Sequence, residues 1–119
     1  MSFLGKDAKV RAALERVWHD SRPEAMSRLA LLERFLDELR LGRMDKSNLS
    51  TALSAAHRLS GALGMFGMDE GSACAAEIEA LLGCPTRIDD TILAKLVRRL
   101  REVMEKGPDS TKMPGNSDR

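Results

Sequence analysis

Tyrosine is absent, and aromatic side chains are few: one Trp and three Phe in 119 residues. A β-sandwich or barrel draws much of its core from aromatic and β-branched residues, so this scarcity argues against an all-β fold. There is no excess of charge of either sign. Lys and Arg number 19 and Asp and Glu 18, a net charge of +1, which gives no field suited to DNA, RNA or an acidic membrane as the main partner. Cysteine is sparse as well. Cys74 and Cys84 are too few for a disulfide framework, and with His19 and His57 they show no short metal-ligand spacing, so reduced thiols and no metal site are expected. No run approaches the roughly 20 apolar residues that span a bilayer, and Met1 to Asp7 lacks the apolar core of a signal peptide. A cytoplasmic protein is expected.

What the chain has is aliphatic residues at helical spacing. A chain of this length forms one domain with a single core. The first helical segment is predicted from about Lys6 to His19, with Val10, Ala13, Leu14, Val17 and Trp18 inward, ending before Asp20-Ser21-Arg22-Pro23. Ser21 and Glu24 have the spacing of a capping box that would open a second helix. Its inward residues are Met26, Leu29, Leu32, Phe35, Leu36 and Leu39, and Gly42 is placed to end it after Leu41.

Asp45 or Ser47 is a candidate cap for a third helix whose inward stripe is Leu49, Ala52, Leu53, Ala56, Leu59, Leu63 and Phe66, with Gly67 as its C-terminal cap. A fourth, rich in small residues (Ala73, Cys74, Ala75, Ala76, Ala80), runs from Met68-Asp69 to about Leu82. Gly83-Cys84-Pro85 breaks the pattern, and Thr86 with Asp89 has the spacing to cap the last helix. That helix would bury Ile92, Leu93, Leu96, Val97, Leu100, Val103 and Met104 and end near Lys106. Short connections imply antiparallel neighbours. The expectation is an all-α fold, an antiparallel up-and-down four-helix bundle with an additional N-terminal helix packed across one end or side. Residues 1–106 form the domain, and 107–119, without apolar periodicity, form a disordered tail or linker.

The most informative stretch is Ala56-His57-Arg58-Leu59-Ser60-Gly61-Ala62-Leu63-Gly64-Met65-Phe66-Gly67. Each glycine inside a helix costs on the order of 1 kcal/mol relative to alanine, so Gly61 and Gly64 require a reason. Residues three, four and seven apart share a helix face, which sets Ser50, Ser54, Gly61 and Gly64 around His57. All four are small. An imidazole fenced by small residues at the border of core and water is open to close approach by another protein. Close helix packing at the two glycines, with solvated serines, explains the same residues one at a time.

His57-Arg58-Leu59-Ser60-Gly61, with Gly67 ten positions after the histidine, resembles the signature of histidine phosphotransfer (HPt) domains: histidine, any residue, a large aliphatic, usually lysine, glycine, and a later glycine. The Gly64-Met65-Phe66-Gly67 ending is also similar to the phosphoacceptor domain of chemotaxis histidine kinases. The resemblance implies an HPt-like bundle and a phosphoryl carrier of a bacterial two-component phosphorelay, without its own ATP site. His57 would be the phosphoacceptor, with Ser54, Arg58, Ser60, Gly61 and Gly64 as phosphoryl-site neighbours or docking residues. Its partners would be response-regulator receiver domains and a histidine or hybrid kinase, with no cofactor on this chain, since Mg²⁺ belongs to the receiver. A monomer suffices for that role. An imidazole, ordinarily titrating near pH 6.5, is largely neutral at pH 7 and is a good nucleophile toward phosphorus. Ser60 departs from the pattern. A hydroxyl donates one hydrogen bond where lysine supplies a full charge, and Arg58, about 100° round the helix, is the other candidate. Without compensation, transfer is expected to be slower or the phosphohistidine less stable.

Two further readings stand beside the carrier. One is a receiver-docking helical module that is not phosphorylated, suggested by the missing lysine. The other is the N-terminal phosphoacceptor domain of a larger kinase or hybrid regulator, suggested by the polar tail. His19 reads as a solvated residue at a helix end, and Arg98, Arg99 and Arg101 as a solvated face. Met65 and Met68 fit either an apolar docking patch or the core.

Overall fold

The computed structural model describes the backbone of residues 2–84, 86 and 88–108, and side chains among these from residue 8 onward. Four helices follow in order: α1 Ser2–Arg40, α2 Lys46–Met65, α3 Asp69–Leu82 and α4 Asp90–Lys106. Each packs on the next and α4 closes back onto α1, the up-and-down antiparallel bundle expected from short connections. No strand occurs among the described residues. The tail expected to be disordered lies, from residue 109, outside them.

Caps set the bundle's corners. Asp45 opens α2 by a reciprocal box in which its carboxylate accepts the Asn48 N–H and the Asn48 amide oxygen accepts the Asp45 N–H, both at 2.8 Å, so two otherwise unpaired donors are satisfied. At the other end of α2 the Met68 N–H donates to the Leu63 carbonyl (2.9 Å) and the Gly67 N–H to that of Gly64 (3.1 Å), a Schellman motif. Gly67 has φ +74°, a conformation disfavoured for side-chain-bearing residues, and buried Met68 turns back under the helix end. The same motif closes α1 at Gly42, with Arg43 donating to Glu38 and Gly42 to Leu39.

The core is aliphatic, formed by Leu29, Leu32, Leu59, Leu63, Ile78, Leu82, Leu93, Leu100 and Met104, with the smaller Ala52, Ala55, Ala56 and Ala75 buried among them. Trp18 closes one end, meeting Phe66 edge-on with ring centroids 5.3 Å apart. Ion pairs strap the outside: Arg101 grips Glu33 of α1 with two guanidinium nitrogens (2.6 and 3.0 Å) and Glu105 with a third, and Arg99 pairs with Glu70 of α3. Two of the three arginines read as a solvated face, Arg99 and Arg101, thus tie α4 to its neighbours. Hydrogen bonds that Arg101 donates to Glu33 and then Glu105 hold its guanidinium above its usual basicity.

Several local expectations need correction. No break occurs at Asp20 to Pro23, because α1 runs through Pro23 as one helix of 39 residues and the separate N-terminal helix is instead its first half. The proline forfeits one backbone hydrogen bond. Against that, Trp18 and Ala25 lie seven residues apart, two turns, and both are buried, so an unbroken helix keeps Trp18 in phase with the core stripe. Ser21 and Glu24 therefore cap nothing, and Glu24 pairs with Arg28 one turn on. Val10 and Val17 are about half exposed, because nothing before Trp18 among the described side chains is buried. The cap of α4 is Asp89 rather than Thr86. One Asp89 oxygen accepts from Thr91 and Ile92 N–H groups (2.9 and 3.2 Å), and half-buried Ile88 precedes it, placed as in a hydrophobic staple. Ile92, expected inside, is 49% exposed, one residue out of phase with buried Leu93.

Candidate functional site

The cap at Asp45 and the turn at Gly67 fix the ends of α2, and burial of Ala52, Ala56, Leu59 and Leu63 fixes its rotation. The opposite face then turns to water. Ser50, Ser54, His57, Gly61, Gly64 and Met65 are all exposed there, the His57 side chain by 75% and Met65 by 79%. Met68, the other half of the suggested apolar patch, is instead in the core.

His57 leans toward α3. Its Nδ1 lies 3.0 Å from Oε2 of Glu79. A carboxylate only accepts, so in the neutral ring Nδ1 carries the hydrogen and the lone pair sits on Nε2, at the outer edge of the imidazole. Glu79 thus favours the Nδ1–H tautomer. Sequence reading missed it, although a signal was available. Antiparallel helices joined at Gly67-Met68 bring together residues equidistant from the turn, and 57 and 79 are each eleven positions from Met68.

The six residues singled out do not act as one cluster. Ser54 and Arg58 face the other flank, where with Arg28, Leu31, Ser50, Thr51 and Ala55 they line an open groove of about 360 Å³ between α1 and α2. Ser60 is half-buried against α3. Its hydroxyl donates to the Ser72 carbonyl (3.1 Å), and the Ser72 hydroxyl donates back to the Ser60 carbonyl (2.8 Å). The Ser60 hydroxyl is thus engaged across the α2–α3 contact. Nor does α3 supply a cation. Between Asp69 and Leu82 it carries Asp69, Glu70, Glu77 and Glu79 and no Lys or Arg.

The two glycines differ in cause. A Cβ added at Gly64 would lie 3.3 Å from the Ser72 Oγ, whereas one at Gly61 would meet nothing within 4 Å. Close helix packing accounts for Gly64. It does not account for Gly61, where the fold leaves room for a side chain and the sequence supplies none.

Among the described residues no group of three His, Cys, Asp or Glu is placed to hold a metal, and no helix is long and apolar enough to cross a membrane. Cys74 and Cys84 are free thiols, the first buried and the second exposed. Burial, with the charge of Glu77 adding, pushes the Cys74 thiol from 9.0 up to about 11, which makes it a poor nucleophile.

Compared with known proteins, residues 16–106 match the Hpt domain family. Protein RcaC of Microchaete diplosiphon is 25% identical over 100 residues, which is 84% of this chain and 15% of that protein. The chain thus spans about a seventh of the length of this curated relative. No solved structure gives a significant match.

Proposed function

Because the chain belongs to the Hpt domain family, we propose that it carries phosphoryl groups on His57 between the partners of a two-component phosphorelay, without an ATP site of its own. The observation that carries the reading is the His57 ring, exposed on a face of small residues, with Nδ1 held by Glu79 and Nε2 outward.

The chemistry follows from that ring. The Nε2 lone pair attacks the phosphorus of an aspartyl phosphate on a receiver domain, the N–P bond forms, the P–O bond to the aspartate breaks, and the carboxylate leaves. Return transfer to another receiver aspartate reverses these steps. Glu79 accepts the Nδ1 hydrogen bond and so stabilises the positive charge that develops on the imidazole. Charge on the transferring group spreads over its equatorial oxygens in a loose transition state. With Ser60 engaged elsewhere and α3 acidic, its neutralisation falls to the receiver, whose Mg²⁺ and lysine would supply it. The groove between α1 and α2, with Arg28 and Arg58, and the open backbone at Gly61 form the surface against which a receiver would sit. Cytoplasmic placement and action as a monomer belong to the same reading.

The test is transfer from a panel of phosphorylated receiver domains to the wild-type protein and to His57→Ala, followed with an acid-labile label. Label on the wild type alone supports the carrier. Receiver binding without label on either protein would replace it with a docking module that is not phosphorylated, the reading to which Ser60 in place of lysine points.

A further inference from the structure

We propose that Ser60 and Ser72 form a clasp that positions His57, by fixing the register of α3 against α2 so that Glu79 stands opposite the imidazole. The inference rests on His57 as the phosphoacceptor. It assigns positioning roles to two serines whose hydroxyls bond across the α2–α3 contact.

Helices α2 and α3 pack on each other, and both send aliphatic side chains into the core, Leu59 and Leu63 from α2 and Ile78 and Leu82 from α3. Apolar burial of this kind is non-directional. The clasp is directional instead. Each hydroxyl reaches the backbone carbonyl of the opposite helix, at 3.1 and 2.8 Å, with the two Oγ atoms 3.4 Å apart. Because the acceptors are main-chain atoms, the bonds tie helix to helix rather than one mobile side chain to another. Gly64 makes room for Ser72, since a Cβ there would crowd its Oγ to 3.3 Å.

Register then passes along the helices to the site. Ser60 lies three residues from His57 on α2, and Ser72 lies seven residues, two turns, from Glu79 on the same side of α3. The His57–Glu79 pair itself is exposed, with side-chain exposures of 75% and 37%. A solvent-facing pair of this kind holds its own geometry weakly. What brings Glu79 Oε2 to 3.0 Å from Nδ1 must come from the packing beneath, and the clasp is the directional contact nearest to it. At the position where the family usually has lysine, this chain has spent the side chain on alignment.

The test reads the imidazole directly, with no partner needed. Nitrogen-15 shifts of His57 in the unphosphorylated protein report the share of ring with hydrogen on Nδ1. Ser60→Ala and Ser72→Ala are expected to shift that share toward the mixture of a free imidazole, as Glu79→Gln does. Phosphoryl uptake should slow by up to about fivefold, the most that loss of the Glu79 hydrogen bond can cost. Ser60→Thr, which keeps the hydroxyl, should restore both, and Ser47→Ala, at the far end of α2, should change neither. In the Glu79→Gln background the serine substitutions should have no further effect on the ring. Unmoved ring shifts in folded Ser60→Ala and Ser72→Ala, or shifts that add to those of Glu79→Gln, would overturn the proposal. Loss of transfer in His57→Ala is a separate outcome and bears on the carrier reading alone.

Discussion

Replacing Gly61 with alanine sets the interest of the fold against that of the site. Gly61 lies inside α2 with helical neighbours on both sides, is exposed, and a Cβ built on it meets nothing within 4 Å. Alanine should therefore gain the full difference in helix propensity, about 0.8–1 kcal/mol, with no steric cost in return. For a domain of this size that corresponds to a rise in Tm of about 4 °C, measurable by circular dichroism at 222 nm. The added methyl stands one turn from His57 on the face a receiver must approach. Phosphoryl transfer should fall while stability rises, the trade-off expected where a residue serves a partner rather than the fold. Gly64→Ala is the internal comparison, because crowding against the Ser72 Oγ at 3.3 Å should cancel much of the same gain. A lower Tm for Gly61→Ala would refute the claim that the fold leaves the position open. A higher Tm with transfer unchanged would refute the claim that the bare backbone serves docking.

Glu79→Ala should slow transfer about fivefold, from the loss of roughly 1 kcal/mol of hydrogen bonding at an exposed site, with receiver affinity unchanged. An equal loss of affinity would place Glu79 in docking instead. Leu59→Ala, at a fully buried position two residues from His57, should cost 2–5 kcal/mol, read from the urea midpoint, and a cost under 1 kcal/mol would contradict the assigned core. With iodoacetamide at pH 8 the folded protein should be modified at exposed Cys84 and spared at buried Cys74, and equal rates would refute the burial. Because the folded Cys74 thiol titrates near 11 against 9.0 ordinarily, its contribution to stability is complete below about pH 9 and is lost as pH rises toward 11. Cys74→Ala should remove that part of the alkaline decline, and an unchanged alkaline limb would count against it.

Much of this protein is written locally. The stripes of α2 and α4, the glycine stops at Gly42 and Gly67 and the Asp45 cap depend on neighbours within a turn or two, where spacing and side-chain chemistry suffice. The histidine, its exposure and the small residues around it were legible for the same reason: once the inward stripe is known, a helix of 3.6 residues per turn leaves His57 one direction to face. Tertiary structure decided what depends on distant chain. Pro23 carries a local instruction to stop, overruled because Trp18 reaches Phe66 at the end of another helix and is buried only if α1 continues. Thr86 and Asp89 both fit a cap, and the choice fell to Asp89 with Ile88 and Leu93 both packed on the core. The partners of His57 and Ser60 stand 22 and 12 residues away, across a turn whose register depends on how closely α2 and α3 approach. Composition and periodicity specify which face of each helix is buried. The pairings of polar groups at the seams follow from rotation and register, which are set when the helices pack together.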